Sequence, residues 1–232
     1  MIDKIICLSY DKRKELWKPL KEQVQNIFDK PLEMFVGGDG KDRDVKYDHI
    51  DEQPPAGFPF MYTLNKGHYN AFLCHRKMAQ RAIDEKVNNV LFLEDDAYVI
   101  EDRAFFIREQ KFTDFLNRKD WDICYLGWWQ KKTWETTENR YDLEEVYKLD
   151  GIWGISPIDR PPKVAHEICA LHGLLINSHF LPIIANAPTG PIDSYLNHNF
   201  ERINAYFMWP KLIHVHSTFS YCEGSFTERE KI

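Results

Sequence analysis

The chain has 232 residues, 44% of them hydrophobic and 14% aromatic, enough for the core of one α/β domain and too apolar for global disorder. A formal net charge of −6 argues against gripping nucleic acid through its phosphates, so nucleic acid is not an expected partner. The cysteines (Cys7, Cys74, Cys124, Cys169 and Cys222) are scattered, odd in number and form no C-x-x-C pair, which suits a reducing compartment and excludes a disulfide framework. The opening apolar run is too short for a signal peptide, and no stretch reaches transmembrane length. The expected location is the cytoplasm, or a host cell's cytoplasm if the chain is viral.

"KIICLS" reads as a buried first strand. In "DKRKELWKPLKEQVQNIF" the residues Leu16, Leu20, Val24 and Ile27 recur at helical spacing. "LEMFV" follows as a second strand, ended by Gly37-Gly38-Asp39-Gly40. This β-α-β order favours a parallel sheet. Residues 41–66 read as a long loop. The next helix carries Tyr69, Phe72, Leu73, Arg76, Ala79 and Ile83 as its inward stripe and is closed by Asn88-Asn89. "NVLFL" reads as a fully buried strand that delivers Glu94-Asp95-Asp96 at its C-terminal end. A helix from about Ala104 to Asn117 leads to the strand "WDICYLG". Residues 128–163 lack periodicity and read as a lid or hairpin region, with Trp128, Trp129, Trp134 and Trp153 available for ring stacking or for a small local core. "VAHEICALHGLLINSHFLPIIANA" reads as a strand, a turn at His172-Gly173 and a short helix, and "GPIDSYLNHNF" as a helix with Asp193 in its first turn. "INAYFMWPKLIHVHSTFSY" reads as two short strands broken at Pro210. The absence of repeats and low-complexity linkers makes one domain, 1–232, the economical expectation.

In open α/β sheets ligands bind at the C-terminal ends of the strands, which is where Glu94-Asp95-Asp96 emerges. Side chains alternate along an extended chain, so Glu94 and Asp96 are expected on one side and Asp95 on the other. Two such carboxylates suit Mg²⁺ or Mn²⁺. An acidic strand end that caps the following turn accounts for the same residues, and spacing does not choose between the two. "LIHVHS" puts His214 and His216 on one face of a late strand, and imidazole is a ligand for Mn²⁺ more than for Mg²⁺. Gly37-Gly38-Asp39-Gly40 lacks the phosphate-loop pattern and reads as a turn. Cys74 and His75 are adjacent on a helix and so face different ways, which excludes a Cys/His nucleophilic pair.

The pieces in this order resemble glycosyltransferase family 25, the group of bacterial lipopolysaccharide glycosyltransferases and animal collagen galactosyltransferases. "IICLSYDKRKELWKPLKEQ" resembles the family's opening strand and basic helix, and "VGGDG" its "AxDG" turn. "GHYNAFLCHRKMAQRAIDEKVNNVLFLEDDAYV" resembles its "GEIGCxLSH" helix followed by "LEDD", and "WDICYLG" its "WDxxxLG" strand. "ALHGLLINSHFLPIIANAPTGPIDSYL" resembles the segment leading to "P-x-D-x-x-L", and "WPKLIHVHSTFSY" the closing strand with its late His or Gln. The chain departs from the pattern at Gly67-His68-Tyr69-Asn70, at Cys74 in place of a serine, and at Ser9 in place of an asparagine.

The resemblance implies a GT-A-like α/β fold, a Rossmann-like mixed, mostly parallel sheet flanked by helices. It implies a nucleotide-sugar donor, with UDP-sugars favoured, a glycan or protein acceptor, transfer with retention, and Mn²⁺ (or Mg²⁺) as cofactor. It places Leu8, Ser9, Arg13, His75, Glu94 and Asp95 around the donor. It places Asp96, Glu94 and His216 on the metal, and Asp193 with Asp95 at the reacting centre. A helix N-terminal acid, favoured by the helix dipole, is the plain account of Asp193. The competing functions are a metal-dependent nucleotide phosphohydrolase using the same carboxylates and a non-catalytic sugar-binding domain.

Overall fold

Apolar residues spaced four and three apart on the first helix, Leu20, Val24 and Ile27, are buried as that spacing requires. The computed structural model describes residues 1–10, 13–37, 66–130, 154–157, 168–188, 192–216, 219–220 and 225–226. Strand β1 (Lys4–Tyr10) runs into helix α1 (Lys14–Phe28) and strand β2 (Leu32–Gly37). Asp29 ends α1 in the left-handed region, φ 52°, and its N–H donates to the Gln25 carbonyl, a closure that Asp tolerates better than bulkier residues. Helix α2 (Lys66–Asp84), strand β3 (Asn89–Glu94) and strand β4 (Ala97–Val99) follow. A 3-10 turn over Glu101–Arg108 precedes α3 (Gln110–Asn117). Strands β5 (Ile123–Gln130), β6 (Gly154–Pro157) and β7 (Ile168–Asn177) lead to α4 (Leu181–Ala185) and α5 (Ile192–His198). The chain continues with β8 (Ala205–Trp209), β9 (Ile213–Val215), β10 (Phe219–Ser220) and β11 (Ser225–Phe226).

The main sheet has the order β2-β1-β3-β7-β5-β8-β6. β1 is parallel to β2 and β3, and β5 is parallel to β8, whereas β7 is antiparallel to β3 and to β5, and β6 to β8. Five strands therefore point one way and two the other, the mixed, mostly parallel α/β sheet that was expected. Central strands buried on both faces should read as continuous apolar runs, and β3 does: Val90, Leu91, Phe92 and Leu93 are all at most 1% exposed. One face carries α2, α4 and α5 over Ile6, Phe92, Tyr125 and Leu174. The other carries α1, the 3-10 turn and α3 over Ile5, Leu91, Leu93 and Cys124.

Three expectations need correction and one open alternative is decided. The helix placed at 104–117 is two pieces, because Glu109 is extended (φ −76°, ψ 148°) and breaks it. β5 continues through Trp128 and Trp129 to Gln130 rather than stopping at Gly127, and Gly154–Pro157 is a strand paired with β8, so part of the supposed lid belongs to the sheet. Of the two roles left open for Trp128, the core one holds: it is 2% exposed and packs edge-on against Phe207. There is no turn at His172-Gly173: β7 runs straight through both. Gly173 is small because space is short, since a Cβ there would lie 2.8 Å from the Gly127 nitrogen and 2.9 Å from Ile213 Cδ1. The rest of the proposed lid, Trp134, Trp153, the turn at 38–40 and the loop at 41–65 lie outside the described residues. Among the described residues, no helix is long and apolar enough to cross a membrane.

Candidate functional site

The site grows from the register of two parallel strands. β1 and β3 pair with Leu8 opposite Glu94, so the residues after Glu94 meet the residues after Leu8. The Tyr10 N–H donates to Asp95 Oδ2 at 2.7 Å. Three residues on, at the entrance to α1, Arg13 Nη1 reaches Asp95 Oδ1 at 2.7 Å and Asp96 Oδ2 at 3.2 Å. Asp95 and Asp96 are 4% and 5% exposed; Glu94, the last residue of β3, is half-buried.

Asp95 and Asp96 thus face the same guanidinium, which corrects the expectation that Asp95 points away from Asp96. Alternation holds only while the backbone stays extended. The strand ends at Glu94, and Asp95 and Asp96 form the turn into β4.

The turn also meets the C-terminal part of the chain. β4 pairs antiparallel with β9, Tyr98 opposite His214 and Ala97 opposite Val215. The ladder is extended by the His216 N–H donating to the Asp96 carbonyl at 2.8 Å. The Tyr98 ring lies 6.0 Å from the His214 ring and 4.6 Å from the His216 ring. The two histidines therefore share the Tyr98 side of the ribbon, and His216, exposed, sits beside the backbone of the acidic turn. Residues near positions 10, 95 and 215 are far apart in sequence and adjacent here.

Electrostatics follow from burial. Burial alone would depress the Arg13 guanidinium, but the charges of Asp95 and Asp96 outweigh it and hold it above its ordinary value. Burial pushes the Asp95 carboxyl up to about 6, against the pull of the Arg13 charge and the Tyr10 N–H. The Cys7 thiol beneath is pushed well up, first by burial and then by the charges of Asp95, Asp96 and Glu94, so it is no thiolate nucleophile. A carboxyl whose folded-state pKa lies above its ordinary 3.8 favours the fold at low pH, and that contribution is lost as pH rises through about 6. Asp95→Asn is expected to flatten the stability profile between those two values; urea midpoints at both ends of the window check it.

The other expected site residues are placed as follows. Leu8 packs against the α2 face of the core. Ser9 is 3% exposed and its hydroxyl donates to the Phe35 carbonyl at 3.0 Å, tying β1 to β2. His75 is 5% exposed, its ring 6.4 Å from Phe92. Its Nδ1 bonds the Ala71 carbonyl at 2.9 Å, and burial lowers it to about 4, so it is neutral. Asp193 is half-buried in the first turn of α5, a separate element from those that pair the strand-end acids. The sequence reading did not anticipate the Tyr10 N–H, Tyr98 between the histidines, or Lys211. Lys211 is 4% exposed, with Nζ 4.2 Å from the Trp128 ring centroid. A lysine directly after the Pro210 break between two apolar strands was the available signal.

Glu94, Asp96 and His216 were expected to hold a divalent metal. Hard oxygen donors are the right type for Mg²⁺ or Mn²⁺. In this arrangement they do not fit one: the guanidinium lies between Asp95 and Asp96, and among the described residues no group of three or more His, Cys, Asp or Glu side chains is gathered to hold an ion.

No protein-family model and no curated protein matches the chain. Among solved structures it is similar to a glycosyltransferase involved in glycosylation of the major capsid of PBCV-1 (16% identity, 88% of this chain and 80% of that one, TM-score 0.41). It is similar to A197 from STIV (15%, 88% and 81%, TM-score 0.43). It is also similar to the galactosyltransferase LgtC in complex with donor and acceptor sugar analogs (12%, 88% and 72%, TM-score 0.42). Overlaps this loose identify neither substrate nor reaction.

Proposed function

We propose that the chain is a glycosyltransferase that moves a sugar from a nucleotide-sugar donor to an acceptor hydroxyl, using the C-terminal rim of β1 and β3 as its donor site. The observation that carries this reading is convergence. Three segments singled out in the sequence, the basic entrance to α1, the acids after β3 and the histidines of β9, meet around Asp95 and Asp96. Their collinear order resembles one family, and their meeting point is the rim where open α/β sheets bind ligands.

Sugar transfer breaks the bond between the anomeric carbon and the donor phosphate oxygen. Negative charge grows on the departing nucleoside diphosphate and positive charge on the sugar ring. In this reading Arg13, which is paired with both acids, is offered to the diphosphate, and Asp95 and Asp96 are offered to the sugar ring. The buried strand ends hold these charges in place before the substrate arrives, so little reorganisation is needed. Retention at the anomeric carbon and a UDP-sugar donor are the versions that the family resemblance supports.

A thermal-shift screen of UDP-, GDP- and CMP-sugars tests the donor, since a ligand that binds only the folded state raises Tm. Asp96→Asn keeps the side-chain shape and removes one charge. With the preferred donor it is expected to lower transfer on the order of 100-fold while the circular dichroism spectrum is retained. Unchanged turnover would sink the site assignment. Donor consumption that needs no acceptor would favour the phosphohydrolase.

A further inference from the structure

We propose that Tyr98, with the His214 and His216 rings beside it, is the stacking face for the pyranose ring of the acceptor. The ribbon of β4 and β9 builds this face. Side chains alternate along each strand. Ala97 and Val99 are each 2% exposed and Ile213 is fully buried in the core beneath. Tyr98 and His214, paired across the ribbon, therefore turn outward. The His216 ring joins them, 4.6 Å from the Tyr98 ring and tilted by 34°; the His214 ring is 6.0 Å away and tilted by 37°. Tyr98 and His214 are half-buried and His216 is exposed. Cross-strand ring contacts steady a ribbon this short, and leaving three rings partly in water does more than that requires.

The chemistry of the face selects its ligand. A pyranose has an apolar C–H side and a rim of hydroxyls. Rings with polar tips match both: the aromatic surface covers the C–H side, while the Tyr98 hydroxyl and the imidazole nitrogens can bond the rim. A flat nucleobase is matched by parallel rings, whereas these are tilted into a shallow dish. The position selects which sugar. The His216 N–H donates to the Asp96 carbonyl at 2.8 Å, and Tyr98 lies two residues beyond Asp96. In the proposed reaction the acids are offered to the donor sugar, so the ring stacked next to them is the one that brings the attacking hydroxyl. The inference rests on the transferase reading for which sugar is bound, and on the ribbon alone for the ligand being a sugar.

NMR of the chain with labelled tyrosine rings tests it, the Tyr98 signal being assigned by its loss in Tyr98→Phe. The methyl pyranosides of galactose, glucose and mannose are titrated separately, with uridine in parallel. At least one pyranoside is expected to shift the Tyr98 ring signal saturably. Tyr98→Phe keeps the face and should hold most of that affinity, whereas Tyr98→Leu is expected to bind the same sugar about tenfold more weakly. The proposal is overturned if no pyranoside moves the Tyr98 signal, if a folded Tyr98→Leu binds equally well, or if uridine moves the signal more than every pyranoside. Should Tyr98→Leu not fold, the titration of the wild type decides alone. The two readings fail separately. If a pyranoside binds at Tyr98 and no nucleotide sugar binds, the transferase reading falls and the face stands as that of a sugar-binding domain. If nucleotide sugars bind and no pyranoside reaches Tyr98, the stacking face falls alone.

Discussion

Asp95→Ala is expected to destabilise the fold by about 3 kcal/mol or more, the loss typical of breaking a buried ion pair from one side. The carboxylate accepts two short hydrogen bonds, from the Tyr10 N–H and from Arg13, at 2.7 Å each. Deleting it strands a peptide N–H and loosens a guanidinium that is only 13% exposed. The Coulombic gain of the pair matters less than the cost of leaving its partners behind, which is why the loss should be large. Surface pairs set the contrast. Lys18 and Glu22 stand 3.9 Å apart with side chains 85% and 64% exposed. Glu22→Ala should therefore shift stability by no more than about 0.5 kcal/mol. Urea denaturation of the two variants side by side measures the difference. Equal midpoints would show that Asp95 anchors nothing.

Gly127→Val is expected to be nearly as damaging, by crowding instead of by charge. A Cβ at Gly127 would sit 2.5 Å from the Ile213 carbonyl oxygen and 2.9 Å from Ile213 Cβ. These atoms belong to the backbone of β9 and its base, so they cannot swing aside as a long side chain would. Overpacking of this kind costs about 1–3 kcal/mol. The functional loss should exceed the structural one. β9 is held at its start by the Leu212 N–H on the Leu126 carbonyl, and at its end by the His216 N–H on the Asp96 carbonyl. Pushing Ile213 outward shifts the histidines and the acidic turn relative to each other. A displacement of about 1 Å at a reacting centre can lower turnover on the order of 100-fold. Hydrogen exchange gives an independent check: the His216 amide should lose protection in the variant while the β1 amides keep theirs.

These two residues mark where sequence reading succeeds and where it stops. The β1-α1-β2 unit, α2 and β3 were legible because their apolar residues keep the helical or the fully buried period. The rim position of the acids was legible for the same reason. Gly127 and Gly173 misled because glycine usually punctuates a chain, whereas here it clears room for a strand crossing above. The side on which Asp95 falls was lost because a period of two says nothing about a turn. The Arg13–Asp95 bond joins residues 82 positions apart, and no local pattern reports such a pair. It took the parallel register of Leu8 and Glu94 to bring them together.

The reversed strand at the centre of the sheet has a consequence for synthesis. Among the described residues, β7 is the strand that joins the β2-β1-β3 block to the β5-β8-β6 block. Both of its edges are used, by β3 and by β5. On the ribosome, β3 emerges with one edge satisfied by β1 and the other open, and it stays open until Ile168–Asn177 has been made. Its side chains there, Val90 to Leu93, are all apolar and buried in the finished fold. An unpaired apolar edge is the kind of surface on which nascent chains stick to one another. Slowing translation across the interval between the appearance of β3 and of β7 is therefore expected to lower the soluble yield.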